Sequence, residues 1–213
     1  MEPKELVDRL HWLGHDSFQL DGPVVIYFDP WKLEGDLPEA DLVLVSHEHH
    51  DHCSPEDVEK VSGPETTIVA NVGSKEKLPS AETVRPGDRT TVKGISIEAV
   101  RAYNVNKFRS PGVPFHPREA DHVGYVITVE GVRLYFTGDT DQIPEMADID
   151  CDVALLPVSG TYVMTAEEAV EAAHTLSPDI VVPMHIGAGI GSPDDGQRFA
   201  RMYDGETALL ERE

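Results

Sequence analysis

Apolar residues come in short runs along this chain, most of them four to seven residues long and bounded by Gly, Pro, Asp or Ser. That spacing predicts strands rather than long helices. Ser17–Leu20 and residues 24–28 flank Asp21-Gly22 and predict a hairpin. Arg89–Val92 and Ile95–Arg101, joined by Lys93-Gly94, predict a second hairpin. Residues 125–129 and 133–136, around Glu130-Gly131, predict a third. Residues 41–45, 67–70, 153–156 and 180–183 read as short strands, with β-branched runs where burial is expected. A long loop is expected between about 102 and 123. Helical spacing is rarer. Ser54-Pro55-Glu56-Asp57 has the N-cap, first-turn proline and acids of a helix start. Thr165-Ala166-Glu167-Glu168 is a capping box, and the helix it opens carries Ala166, Ala169, Val170, Ala173 and Leu176 on one face. A further helix is expected after Ser192-Pro193-Asp194-Asp195. Two strand-rich halves with single helices between them fit two sheets packed face to face, helices outside.

Composition adds limits. The 213 residues suit one domain, and no linker or low-complexity segment divides them. The formal charge is −22, from 39 acids against 17 bases. That argues against nucleic acid or an anionic membrane as partner and favours a small-molecule substrate; a homo-oligomer is allowed. It also suits a high-salt interior, where screening relieves self-repulsion. Two cysteines, Cys53 and Cys151, are too few for a disulfide framework. Cys53 abuts the motif described next, but is expected to be a small buried residue. The opening residues carry no signal-peptide pattern, and no apolar run reaches membrane-spanning length, so a cytoplasmic location is expected.

The chemistry concentrates in His47-Glu48-His49-His50-Asp51-His52. This His-x-His-x-Asp-His spacing places neutral nitrogen donors and an anionic oxygen on a loop that leaves a strand and enters a helix. Ligand sites in α/β sheets lie at such positions, and these donors suit zinc and related divalent ions. His47 and His49 can converge on one ion, and Asp51 and His52 can reach a second. Glu48 and His50 are expected to point elsewhere. Further donors follow other strands: Asp139 in Gly138-Asp139-Thr140, His185 at the end of Val181-Val182-Pro183-Met184-His185, and His116 in the long loop. His174, near a helix end, reads as structural.

On these residues the chain resembles the metallo-β-lactamase superfamily, in particular its small branch of L-ascorbate-6-phosphate lactonase-like proteins. Trp12-Leu13-Gly14-His15-Asp16-Ser17-Phe18, Asp29-Pro30, the histidine motif, Gly138-Asp139-Thr140, Gly160-Thr161-Tyr162 and Pro183-Met184-His185 carry the resemblance over nearly the whole chain. It implies an α/β fold, the four-layer αββα metallo-β-lactamase sandwich, spanning residues 1–213 as one domain. It also implies two divalent ions, zinc first and manganese, iron or nickel as alternatives. His47, His49 and a third histidine would hold one ion. Asp51, His52 and His185 would hold the other, with Asp139 between them. The family's third histidine usually stands where this chain has Asn104. Either His116 swings in from the loop, or Asn104 coordinates weakly, or the first site is depleted. His116 is preferred, with His122 in reserve.

The implied chemistry is hydrolysis of an ester, lactone, amide or phosphodiester by a hydroxide held between two metals. The resemblance places His15 and Tyr162 beside the site as candidate catalytic donors, with Asp51 as the catalytic carboxylate. Between Arg101 and Arg118 the chain has four bases and no acid, which favours a small anionic substrate if the loop overhangs the metals. Two alternatives use the same scaffold: a redox di-iron protein and a metal-dependent nuclease.

Overall fold

A computed structural model describes residues 1–213. A short helix, α1 (Pro3–Val7), leads into a six-stranded sheet. Its strands are β1 (Leu10–Gly14), β2 (Ser17–Leu20), β3 (Ile26–Phe28), β4 (Ala40–Val45), β5 (Ser62–Asn71) and β6 (Glu82–Val84), in that spatial order. Helix α2 (Pro55–Val61) connects β4 to β5, and the Ser54 side chain accepts from the Asp57 amide at its start. The alternation along β4 sorts its side chains. Leu42 and Leu44 face the large core between the sheets, while Val43 and Val45 face a smaller outer core with Val58 and Val61 of α2. Cys53 is buried in that outer core, as expected.

The second sheet begins with β7 (Arg89–Val92) and β8 (Ile95–Arg101). After an irregular arm that carries a two-stranded hairpin, β9 (Phe108–Ser110) with β10 (Val113–Pro114), it continues with β11 (Val123–Val129), β12 (Val132–Phe136) and β13 (Val153–Pro157). Helix α3 (Ala166–Leu176), β14 (Ile180–Met184), helix α4 (Pro193–Met202) and β15 (Glu206–Thr207) complete the chain. The sheet order is β15-β14-β13-β12-β11-β8-β7. Glu130 and Gly131 both have positive φ, 49° and 89°, so the β11–β12 turn is a tight left-handed one. The Thr165 capping box forms as predicted, and α3 buries Ala166, Ala169, Val170, Ala173 and Leu176.

The fold is therefore the αββα sandwich, with both inner faces in one core. Several elements were not predicted. β1 is an unbroken Leu-His-Trp-Leu-Gly run with no alternation. β6, β15 and the β9–β10 hairpin are three residues or fewer per strand. β5 starts five residues before its expected start because Ser62 pairs with Ala40, across a polar stretch with no hydrophobic signal. No helix is long and apolar enough to cross a membrane.

The pairing directions place the functional loops. β1 runs parallel to β3 and β4, and β8 runs parallel to β12, β13 and β14. The segments after these strands hold His15 and Asp16, Asp29, His47 to His52, Asn104, Asp139, Ser159 and His185, all at carboxyl ends.

Candidate metal centre

Asp139 is the centre of the cluster. It is 3% exposed, and its two oxygens face two different groups of imidazoles. Asp139 Oδ2 is 3.1 Å from His116 Nε2 and 4.0 Å from His47 Nε2. Asp139 Oδ1 is 3.2 Å from His185 Nε2 and 3.4 Å from His52 Nε2. The first group closes on itself: His49 Nδ1 is 3.0 Å from His47 Nε2 and 3.2 Å from His116 Nε2. Gly138, at φ +61°, makes the approach possible, since a Cβ there would stand 3.0 Å from both Ser46 Cβ and the Val123 carbonyl oxygen.

The outer nitrogens of the rings are held by polar groups. Asp29, fully buried, accepts from the Ser46 amide at 2.7 Å, from the Ser46 hydroxyl and from His52 Nδ1 at 2.7 Å. Ser46 Oγ is 2.9 Å from His47 Nδ1, and Ser159 Oγ is 2.9 Å from His185 Nδ1. Asn104 Oδ1 accepts from the His116 backbone amide at 2.8 Å and stands 3.0 Å from its Nδ1. Each ring thereby turns its remaining nitrogen towards Asp139, the arrangement that outer hydrogen bonds impose on metal-binding histidines.

The donor set fits divalent ions. His52 Nε2, His185 Nε2 and Asp139 Oδ1 are buried and have no hydrogen-bond partner, and both nitrogens lie within 3.4 Å of that oxygen. Converging lone pairs in a dry cluster are costly unless a cation occupies the middle. Burial also pushes the His49 imidazole down to about 4, which keeps its nitrogen available as a donor.

The other predicted residues are placed as follows. Asp51 stands across the opening, with Oδ2 3.5 Å from His15 Nε2 and Oδ1 3.4 Å from His50 Nδ1. His50 is exposed and Glu48 turns away to His122 at 3.3 Å, as expected of both. His15 is buried against His185, with ring centroids 4.3 Å apart, and burial pushes its imidazole down to about 4. Tyr162 lines a cleft of about 270 Å³ over the cluster, together with His49, Asp51, Arg109, His116 and Asp139. His122, the reserve ligand, lies with His47 and His116 so that one nitrogen of each is within 4.8 Å of the others. His49 makes the shorter approaches. His174 pairs with Asp204 at 2.9 Å near the end of α3, away from the cluster.

The basic arm is corrected in one respect. Arg101 faces Asp121, Lys107 pairs with Glu168, and Arg118 pairs with Glu145. Surface acids from other segments neutralise these three. Arg109 alone among the four has no carboxylate partner, and it lines the cleft over the Phe115 ring.

Residues 9–185 match the family profile of a β-lactamase superfamily domain. The chain belongs to that superfamily. It is a metal-dependent hydrolase with the metallo-β-lactamase fold. A protein of Methanoculleus marisnigri named a UPF0173 metal-dependent hydrolase is 35% identical, with 94% of this chain and 91% of that protein covered. One from Thermoplasma acidophilum, named likewise, is 32% identical over 90% of this chain and 88% of its own length. The crystal structure of a metal-dependent hydrolase from Parabacteroides distasonis superposes with a TM-score of 0.84 at 34% identity, covering 96% of this chain and 93% of that one.

The sequence assigns no role to Asp16 or Asp29, which enter only as parts of motifs, and it does not single out Ser46 or Ser159 at all. Asp16 and Asp29 are polar residues next to buried strand ends, which is the one local signal they offer. Ser46 and Ser159 offer none, because a serine in a loop is ordinarily solvated.

Proposed function

We propose that this superfamily member hydrolyses an ester, lactone or phosphodiester of a small anionic molecule, using two divalent ions. His47, His49 and His116 would hold the first, Asp51, His52 and His185 the second, and Asp139 both. The observation that carries this reading is the division of labour at Asp139, whose Oδ2 approaches His116 at 3.1 Å and whose Oδ1 approaches His185 at 3.2 Å. When bound, the ions would acidify water to near-neutral pKa and polarise the oxygen of the scissile group.

The protein groups around them have separate tasks. His15, buried and held neutral at physiological pH, can offer a hydrogen bond without bringing a competing charge next to the second site. Asp51, facing His15 at 3.5 Å, would take up a proton as the nucleophile forms, besides serving as a ligand. The Tyr162 phenol, half-exposed at the rim, can donate to a leaving-group oxygen. Arg109, which donates to the Phe115 carbonyl but has no carboxylate partner, presents its guanidinium at the same rim, suited to a carboxylate or phosphate on the substrate. Zinc is the first expectation for the ions, given five imidazoles in the set.

The test is elemental analysis of protein purified without chelator, followed by a screen of lactones, esters and phosphodiesters. Between one and two equivalents of zinc, manganese, iron or nickel and a metal-dependent turnover are expected. Protein that stays metal-free when offered these ions would overturn the reading.

A further inference from the structure

We propose that the Asp16 carboxylate is an additional ligand of the second metal site, which makes that site richer in oxygen than the His-x-His-x-Asp-His motif alone would. The inference rests on the two-ion reading above.

Asp16 is fully buried, and neither of its carboxylate oxygens has a hydrogen-bond partner. One donor atom of Asp16, His15, His52 and His185 each lies within 4.8 Å of one from every other member of the group. Asp16 Oδ2 is 3.8 Å from His52 Nδ1, but that nitrogen is already engaged by Asp29 at 2.7 Å. His185 Nδ1 is likewise engaged by Ser159 at 2.9 Å. The neighbouring rings therefore have no proton to spare for Asp16 on those sides. An unpaired carboxylate in such a place costs several kcal/mol unless something compensates it. Protonation would remove the charge but would leave a buried O–H with no hydrogen-bond partner, whereas a cation answers both the charge and the unpartnered oxygens.

Charge counting points the same way. Asp16, Asp29, Asp51 and Asp139 surround His52, and Glu48 is separately paired with His122. Four carboxylates balance the charge of two divalent ions once those ions hold the imidazoles in their neutral, coordinating form. The second site would then draw on Asp16, Asp51 and Asp139 beside His52 and His185. Three carboxylates shift preference towards oxygen-loving ions such as manganese or ferrous iron, relative to the imidazole-rich first site.

The experiment is calorimetric titration of metal-free wild type, Asp16→Asn and Asp16→Ser with Mn2+ and with Zn2+, alongside melting curves with and without metal. Asp16→Asn keeps the shape, and Asp16→Ser relieves any crowding if the amide does not fit. Loss of a ligand should weaken one of the two binding events by about tenfold or more, more for Mn2+ than for Zn2+, and leave the other within about twofold. The metal-free variants should melt no lower than wild type, since Asp16 makes no side-chain hydrogen bond that either variant would lose, and the rise in Tm on adding metal should shrink. Unchanged affinities in both variants, with a lower metal-free Tm, would show an acid that holds only a water or a proton and would overturn the assignment. A wild type that binds no metal at all would instead bring down the two-ion reading, and this assignment with it.

Discussion

Asn104 Oδ1 accepts the backbone amide of His116 at 2.8 Å and stands 3.0 Å from the Nδ1 of its ring. The Asn104 side-chain amide donates to the Tyr162 carbonyl at 2.9 Å. The residue at the position where the superfamily usually has a histidine thus positions the histidine proposed to replace it. His116→Ala should weaken the first metal by at least about tenfold. Asn104→Ala should also weaken it, within the range of about 10- to 100-fold seen for outer hydrogen-bond partners of metal ligands. Calorimetric titration with zinc would check both. First-site affinity unchanged in His116→Ala would remove His116 from the ligand set and leave His122 in its place.

Asp139 spans both imidazole groups, so its loss should be felt at both ions. Asp139→Ala should abolish nearly all hydrolysis and lower metal content towards one equivalent or less. Activity surviving within about tenfold of wild type, roughly 1.4 kcal/mol of barrier, would show that the carboxylate does not link the sites.

Most of the sheet framework could be read from the chain, because β4, β8, β11, β12, β13 and β14 are apolar or alternating and bounded by turn residues. What could not be read is short or polar. The β9–β10 hairpin has no exposed–buried alternation, since all three residues of β9 are exposed. The histidine motif, Asp139 and His185 were visible because histidine and aspartate clusters at strand ends are unusual. The groups that aim them were not. Ser46, Ser159 and Asn104 make ordinary local sequence, and their roles appear only once β4, β8, β13 and β14 bring their ends together. The same assembly decides the arm: four bases without an acid looked like an anion site, yet Asp121, Glu145 and Glu168 arrive from elsewhere and neutralise three of them.

Arg109 is the one base of that arm left to meet a substrate. Arg109→Ala should raise KM for a lactone or ester carrying a carboxylate or phosphate by about tenfold, the cost of one charge-assisted contact, while kcat changes little. An uncharged analogue should be nearly indifferent. Equal effects on charged and uncharged substrates would assign Arg109 to the packing of Phe115 and not to recognition.

Glu168 ties the arm to α3. Its carboxylate accepts from Lys107 at 2.6 Å and from the Asn106 side chain at 2.7 Å. Partial burial works against the charged form, but the Lys107 ammonium and the capping-box amide of Thr165 outweigh it and hold the carboxyl below the usual glutamate range. A carboxylate whose folded pKa is lowered stabilises the fold above its unfolded pKa, about 4.3, and loses that contribution as pH falls through the lower folded value. Glu168→Gln should therefore melt lower than wild type at pH 7 and converge with it as the pH drops below about 4. The difference should not exceed about 1 kcal/mol, because the pair is partly solvated. A gap between the two melting curves that persists unchanged at pH 3 would assign the effect to packing.

The charge of −22 should make stability depend on salt well beyond ordinary screening. Most of the 17 bases are already committed to ion pairs, such as Lys93 with Asp41 at 2.6 Å and Arg89 with Glu98 at 2.9 Å. With 39 acids in the chain, the majority have no protein cation to answer them, and Glu59, Glu76 and Glu82 are exposed with none. Salt acts on both populations in opposite directions. It weakens the exposed pairs, each worth at most about 1 kcal/mol, and it relieves the repulsion among unpaired acids. The excess of acids means that relief should win. The screening length shrinks from about 10 Å at 0.1 M to about 3 Å at 1 M, so acids on neighbouring turns keep gaining relief across that range. Tm should therefore rise continuously from low to molar KCl. A variant carrying Glu59→Lys, Glu76→Lys and Glu82→Lys moves the net charge from −22 to −16 and should show a shallower rise with a higher starting Tm. A wild-type Tm that is flat across this range would exclude adaptation to high salt, and parallel slopes in the two proteins would assign any rise to the salt's effect on apolar surface and not to charge.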